Sequence, residues 1–276
     1  MNEQVTTGAA GNSTDMAGFD AKLRLTAFAG GWEAHRHRHC IWIVSPEGYQ
    51  HHHAFDEVAE ALEEAFSELG GSAPITRHPS QWNGRSPIVL GTNLLPAIGS
   101  PALPDGTILY NLEQVDLGSS WFKTEYLALL SRYPVLDYSP RNRDELRRIG
   151  ISHAALLEIG YSPVLTRIPT DREKDIDVLF YGSVNERRAR ILDDLRNRGL
   201  NVVSLFGVYG AQRDEAIARA KIVLNHHHYR PNIFEIVRIS YLLANKVCVV
   251  AEGDSEDPDV KPLAGGIELA AYDDLV

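Results

Sequence analysis

Unbroken apolar runs alternate with amphipathic stretches through most of this chain, and the alternation predicts a wound α/β architecture. Cys40-Ile41-Trp42-Ile43-Val44 leads straight into Ser45-Pro46-Glu47-Gly48, the pattern of a strand buried on both faces that empties into a loop. Phe55, Val58, Ala59, Leu62, Ala65, Phe66 and Leu69 then share one face at a helical period, and Gly70-Gly71 supplies the stop. Further strands are expected over 87–90, 107–110 and 135–138, alternating with helical patterns over 121–131 and 142–149.

Residues 163–175 contain Pro163 and Pro169 among charged positions and show no period, which marks a linker. Beyond it, 177–181, 201–206, 221–224 and 247–250 read as strands, and 186–198 and 211–220 as helices, the first with Ile191, Leu192 and Leu195 inward. A further helix carries Phe234 to Arg238. The expected fold class is α/β: two Rossmann-like wound lobes, 21–165 and 171–276, with an interlobe cleft. Residues 1–20, rich in small and polar types without apolar period, are expected to be a disordered lead-in.

Composition narrows the partners. A chain of 276 residues with 44% apolar content can bury a large core. Its 27 basic and 37 acidic residues leave a net charge of −10, which argues against a general nucleic-acid or anionic-membrane binder and requires any phosphate ligand to find a local basic pocket. Cys40 and Cys248 are the only cysteines, both in apolar runs, so two buried free thiols and a reducing, cytoplasmic compartment are expected. No apolar run approaches the roughly 18 residues of a membrane span, and Met1-Asn2-Glu3-Gln4 lacks the basic and apolar regions of a signal peptide.

In open α/β sheets ligands sit beyond the carboxyl ends of the strands, so the polar residues that follow each apolar run are the candidate chemistry. In the second lobe these are Gly182-Ser183, the stretch from Gly207 to Gly210 with Tyr209, the stretch from His226 to Arg230, and Glu252-Gly253. Gly182 and Ser183 suit either close approach of a phosphate to helix-terminal N–H groups or an ordinary βα turn capped by Ser183. Glu235 and Arg238 lie one turn apart on a helix, where a plain surface ion pair is the competing reading.

Phe180-Tyr181-Gly182-Ser183, Arg187-Arg188, Leu224-Asn225, Phe234-Glu235-x-x-Arg238, Gly265-Gly266-Ile267 and Tyr272-Asp273-Asp274-Leu275, with Asn111-Leu112-Glu113-Gln114 and Asp137-Tyr138-Ser139 in the first lobe, resemble the group 1, spore-coat-protein-like glycosyltransferases of the GT-B fold. The resemblance implies transfer of a sugar from a nucleotide-diphosphate sugar to a glycan, protein or small-molecule acceptor. It assigns donor binding to Gly182, Ser183, Arg187, Tyr209, His226, Arg230, Phe234, Glu235 and Arg238. Glu235 would accept from the ribose hydroxyls, and Arg187, Arg230 or Arg238 would meet the diphosphate, leaving no need for a metal or for a cofactor beyond the nucleotide-sugar co-substrate. Such enzymes commonly continue into a terminal helix that crosses back to the first lobe, whereas this sequence stops at Val276, so a minimal version or a piece of a longer chain is implied.

The first lobe would hold the acceptor and the catalytic base. His53, chosen from His51-His52-His53 for its place nearest a helix start, Glu113 and Asp137 are the candidates, against a solvated loop for the first and turn caps for the others. Gln114, Trp121 and Tyr138 are candidate acceptor contacts or core. His35-x-His37-x-His39 would put three imidazoles on one side of a strand, but the interleaved Arg36 and Arg38 favour a polar, solvated segment over a closed metal shell. Asp257-Pro258-Asp259 reads as a solvated acidic loop. Neither a G-x-G-x-x-G after a strand, nor a P-loop, nor a G-x-S-x-G elbow occurs. The rival from another class is a non-catalytic nucleotide- or glycan-binding module of the same fold.

Overall fold

The protein is described here from a computed structural model, which defines residues 29–116, 124–228 and 234–276. Trp121, Arg230 and the 1–20 lead-in fall outside these residues. The first sheet comprises β1 (His39–Ile43), β2 (Ile75–Thr76), β3 (Ser86–Leu90), β4 (Ile108–Asn111), β5 (Val135–Asp137) and β6 (Ala155–Leu156), in the order β2-β1-β3-β4-β5-β6. The second comprises β7 (Ile176–Tyr181), β8 (Val202–Leu205), β9 (Ala220–Asn225), β10 (Val249–Glu252) and β11 (Glu268–Ala270), in the order β11-β10-β9-β7-β8. Every pairing in both sheets is parallel. Numbered within its own lobe, each sheet contains the order 2-1-3-4-5, a doubly wound arrangement whose switch point lies beside its first strand.

All five residues of β1 and of β3 are buried, as continuous apolar runs in a two-sided parallel sheet require. The helices that cover the sheets are α1 (Gly31–His35), α2 (Asp56–Glu68), α3 (Thr124–Arg132), α4 (Pro140–Arg148), α5 (Glu186–Asn197), α6 (Gly210–Arg219) and α7 (Ile236–Ala244). On α2 the expected stripe buries Val58 and Ala59 and half-buries Leu62 and Phe66, but the helix ends at Glu68 and Leu69 is 64% exposed. Ser139 caps α4 by accepting from the N–H groups of Arg141 and Asn142, and Pro140 at the first helical position loses no helical bond. Asn185 caps α5 through the Arg188 N–H, and Ile191, Leu192 and Leu195 point inward as expected.

Three expectations need correction. Leu165 and Ile168, in the stretch read as a linker, are buried in the core of the second lobe, so the crossing is packed rather than loose. Cys40 is buried, but Cys248 precedes β10 instead of lying within it and is exposed. The histidines 35, 37 and 39 do not line one strand: His35 ends α1 and His39 begins β1, with their rings stacked and Nδ1 of His35 2.9 Å from Nε2 of His39. His39 is buried rather than solvated, and burial brings its pKa down to about 4. Among the described residues no group of three or more His, Cys, Asp or Glu side chains is arranged to hold a metal ion, and no helix is long and apolar enough to cross a membrane.

The lobes are joined by an ionic clasp, buried at Arg213 and more open at Arg167. Arg213 of α6 donates to Glu57 of α2 at 2.6 Å and to its neighbour Asp214 at 2.8 Å, while Tyr241 of α7 donates to Asp214 at 2.8 Å. Arg167, on the crossing segment, donates to Glu60 of α2 at 2.5 Å and to the Tyr241 hydroxyl at 3.3 Å. A second contact runs from Arg141 of α4 to Asp257 at 2.6 Å, so the acidic loop read as solvated is anchored to the first lobe.

Candidate functional site

The carboxyl ends of the two sheets face one another across a cavity of about 700 Å³. From the first lobe it is lined by Tyr49, His51 and Ala54 after β1, by Leu112, Glu113 and Gln114 after β4, and by Tyr138 after β5. From the second lobe come Gly182 and Ser183 after β7, Phe206 to Tyr209 after β8, and His228 after β9. Glu235 and Arg238, at the start of α7, and Arg188 of α5 complete that wall.

Glu235 sits at the N-terminal boundary of α7. Instead of pairing with each other, Glu235 and Arg238 both hold Asn225, the last residue of β9: its Nδ2 donates to Glu235 at 2.9 Å, and its Oδ1 accepts from Arg238 at 3.1 Å. Nη2 of Arg188 lies 3.6 Å from Glu235, and Nδ1 of His227 lies 3.2 Å from it. Burial alone would raise the Glu235 pKa, but His227, the Arg238 charge and Asn225 outweigh it and hold the carboxyl down to about 2. Burial, followed by the neighbouring Arg238 charge, lowers the Arg188 pKa to about 10, which leaves it a cation at neutral pH. The Arg238 guanidinium stacks 5.1 Å above the Tyr181 ring. Gly182, at φ 137°, makes room for it: a Cβ there would lie 2.9 Å from Arg238 Nη2.

Several sequence candidates face elsewhere. Phe234 is 2% exposed and belongs to the core of the second lobe. His226 is fully buried 5.1 Å from the Phe180 ring, and burial with the Arg188 charge brings its pKa down to about 4. Arg187 is engaged by Glu252, one bond being 2.7 Å, and lies 3.8 Å from the Tyr272 ring centroid, outside the cavity wall. Its neighbour Arg188 is the arginine that reaches the cleft. Helical spacing carried this signal, since Arg188 lies three, four and seven residues before the inward Ile191, Leu192 and Leu195.

The first-lobe candidates divide in the same way. His53 donates from Nδ1 to the Asp56 carboxylate at 2.7 Å beside α2, outside the cavity wall, whereas His51 lines the cavity with Nδ1 2.7 Å from the Tyr209 hydroxyl across the seam. Asp137 is fully buried behind the wall, where burial pushes its carboxyl up to about 7 against the pull of Asn111, the Ser139 N–H and Asn142. Glu113 does reach the cavity. Burial raises its pKa, and among the described residues its carboxylate takes one hydrogen bond, from Asn93 at 3.2 Å. Gln114 and Tyr138 also line the cavity.

The cavity therefore places a carboxyl whose proton affinity burial raises opposite a carboxylate that stays ionised between cations. Such a pair gives a ligand an anchor and an anion trap on one wall and a proton acceptor or donor on the other.

No family model matches the chain. It is similar to three uncharacterized proteins of Acanthamoeba polyphaga mimivirus. One is 34% identical over 117 residues, covering 41% of this chain and 13% of that protein. Another is 32% identical over 150 residues, 51% of this chain and 20% of that protein. The third is 28% identical over 181 residues, 61% of this chain and 56% of that protein. The chain thus spans between about an eighth and just over half the length of these curated relatives.

Proposed function

We propose that this chain is a GT-B-type glycosyltransferase that moves a sugar from a nucleotide-diphosphate sugar to a hydroxyl acceptor in the interlobe cleft. The observation that carries the reading is the Glu235 corner: a carboxylate held down to about 2, beside Arg188 and Arg238, at the carboxyl end of the second parallel sheet. A ribose diol donates to such a carboxylate, and a diphosphate is met by two guanidinium groups that need not reorganise as the leaving group gathers charge. Their charge fills the electrostatic role a divalent ion has in other transferases, so the transfer is metal-independent in this reading. Glu113 faces the donor from the first lobe and takes the acceptor proton, with His51 at the seam between donor and acceptor.

The test is calorimetric binding of UDP-, GDP- and dTDP-sugars, with and without EDTA, together with release of free nucleotide. Selective, EDTA-resistant binding of one nucleotide with slow release supports the reading. Binding without release on any acceptor replaces it with a non-catalytic module, and no binding by any donor removes it.

A further inference from the structure

We propose that Asp137 is a positioning residue for Glu113, acting through the two carboxamides of Asn111 and Asn142. The inference rests on the reading of Glu113 as the proton-transfer group of the cleft. Asp137, Asn111 and Asn142 are all fully buried, and Asp137 does not line the cavity. One oxygen of Asp137 accepts from Asn111 Nδ2 at 2.6 Å, and the other accepts from Asn142 Nδ2 at 3.0 Å and from the Ser139 N–H at 2.9 Å.

The same two amide groups then build the turn that carries Glu113. Both Nδ2 groups donate to the Glu113 carbonyl, Asn111 at 3.0 Å and Asn142 at 2.9 Å. On their other sides, Asn111 Oδ1 accepts from the Glu113 N–H at 3.2 Å and from the Tyr126 hydroxyl at 2.5 Å, and Asn142 Oδ1 accepts from the Val115 N–H at 2.8 Å. The backbone on both sides of Glu113 is fixed by two side chains from other elements, β4 and α4.

A carboxamide turned by 180° keeps its shape and exchanges its donor and acceptor ends, so shape alone does not choose its sense. The two Asp137 oxygens take Nδ2 from both amides, in the same sense that the Glu113 carbonyl and the Glu113 and Val115 N–H groups require. With that sense chosen, the same Nδ2 groups meet the Glu113 carbonyl and the Oδ1 atoms meet the N–H groups of Glu113 and Val115. A simple turn cap would need only the Ser139 N–H contact. The groups that face this corner include Tyr49 after β1, Asn93 after β3, Tyr110 on β4, Tyr126 on α3, Tyr138 after β5, and Arg143 on α4, whose charge draws the Asp137 pKa down.

The test follows the Glu113 carboxyl by carbon-13 NMR, its signal assigned by its loss in Glu113→Gln. Asp137→Asn and Asn142→Ala are compared with the unaltered protein, with circular dichroism confirming the fold. Both variants are expected to move the Glu113 titration midpoint in the same direction, toward that of an exposed glutamate, while nucleotide affinity changes less than about twofold. Asn142→Ala keeps the Asp137 charge, so a shift in Asp137→Asn alone would mean direct charge repulsion and overturn the proposal. Unmoved titration in either folded variant also overturns it, and if Asp137→Asn does not fold, Asn142→Ala decides.

Where the protein turns over a nucleotide sugar, the limb of the pH profile of kcat/KM set by Glu113 should shift in step, with a loss of about 10²-fold from misplacement. If no donor is turned over, the glycosyltransferase reading fails separately, because the titration needs no activity.

Discussion

The two walls of the cleft use the same device to opposite ends. In each lobe a central strand finishes on a fully buried asparagine, Asn111 on β4 and Asn225 on β9, and each asparagine bonds to a glutamate's surroundings. Asn225 grips the side chain of Glu235 and leaves it among His227, Arg188 and Arg238, which hold its pKa down to about 2. Asn111 grips only the backbone of Glu113, and the carboxyl, surrounded by tyrosines and neutral amides, is pushed up by burial. Identical side chains acquire different proton affinities because one corner supplies cations and the other, among the described residues, pairs its carboxyl with a neutral amide alone. The comparison teaches that the contrast in proton affinity between the two glutamates follows from what surrounds each carboxyl at its strand end.

The contrast breaks most severely at Glu235. Glu235→Ala should lower nucleotide affinity by at least about 100-fold in calorimetry, since it removes the anchor and leaves buried guanidinium groups uncompensated. Unchanged affinity would mean that the ligand does not sit in this corner. Next in size is Arg238→Leu, for which roughly a 10- to 50-fold loss of affinity for nucleoside diphosphates is expected, with little change for the nucleoside alone, because only the anion trap is lost.

Acid and base should pull the two walls apart. The Glu235 pKa lies below its unfolded value, so its contribution to stability is fully present above about pH 4.5 and is lost as the pH falls toward about 2. The Asp137 pKa lies above its unfolded value, so its contribution is present below about pH 4 and is lost as the pH rises through about 7. Against Asp137→Asn, chemical denaturation of the wild type should therefore show a relative loss of stability from pH 5 to pH 8 of a few kcal/mol, on the order of 2–4. The variant is the reference because burial holds His39 and His226 down to about 4, which makes both proteins gain stability over the same range; a difference between the two curves that stays constant with pH would contradict the assignment.

Gly182→Ala tests the steric side of the same corner. The added Cβ meets Arg238 Nη2 at 2.9 Å and the backbone φ is 137°, so about 1–3 kcal/mol of stability and roughly fivefold in nucleotide affinity should go together. The smallest expected effect is at His53, where replacement by Ala should change turnover less than about twofold, whereas His51→Ala should cost more than about tenfold because it lines the cleft and bonds to Tyr209. Equal losses at both positions would erase that distinction.

The long elements of both lobes were legible because burial on both faces leaves continuous apolar runs in β1, β3 and β7, and because α2 and α5 carry clear stripes. The edge strands β2, β6 and β11 have two or three residues each, too few to show any period, and depend on neighbours for their pairing. The cavity lining was legible wherever the strand-end rule applied, at Glu235, Arg238, Gly182, Ser183 and Glu113. It was opaque where one residue of register decides which way a side chain faces. His226 and Phe234 turn inward, Arg187 faces Glu252 while Arg188 faces the cleft, and Asp137 lies one layer behind Glu113. The packed 163–175 stretch misled because Leu165 and Ile168 are isolated apolar positions whose burial depends on the second lobe folding around them.

The ionic clasp that joins Glu57 and Glu60 to Arg213 and Arg167 gives cleft opening a thermal signature. To part the lobes, water must enter and solvate several ions together, and Arg167 lies on the crossing segment that the chain itself must bend. Hydration of charge becomes less favourable as temperature rises, so warming strengthens this clasp relative to solvated, separated lobes. The cleft should accordingly breathe more readily in the cold than its apolar packing alone would allow, and hold its two walls in register as it warms.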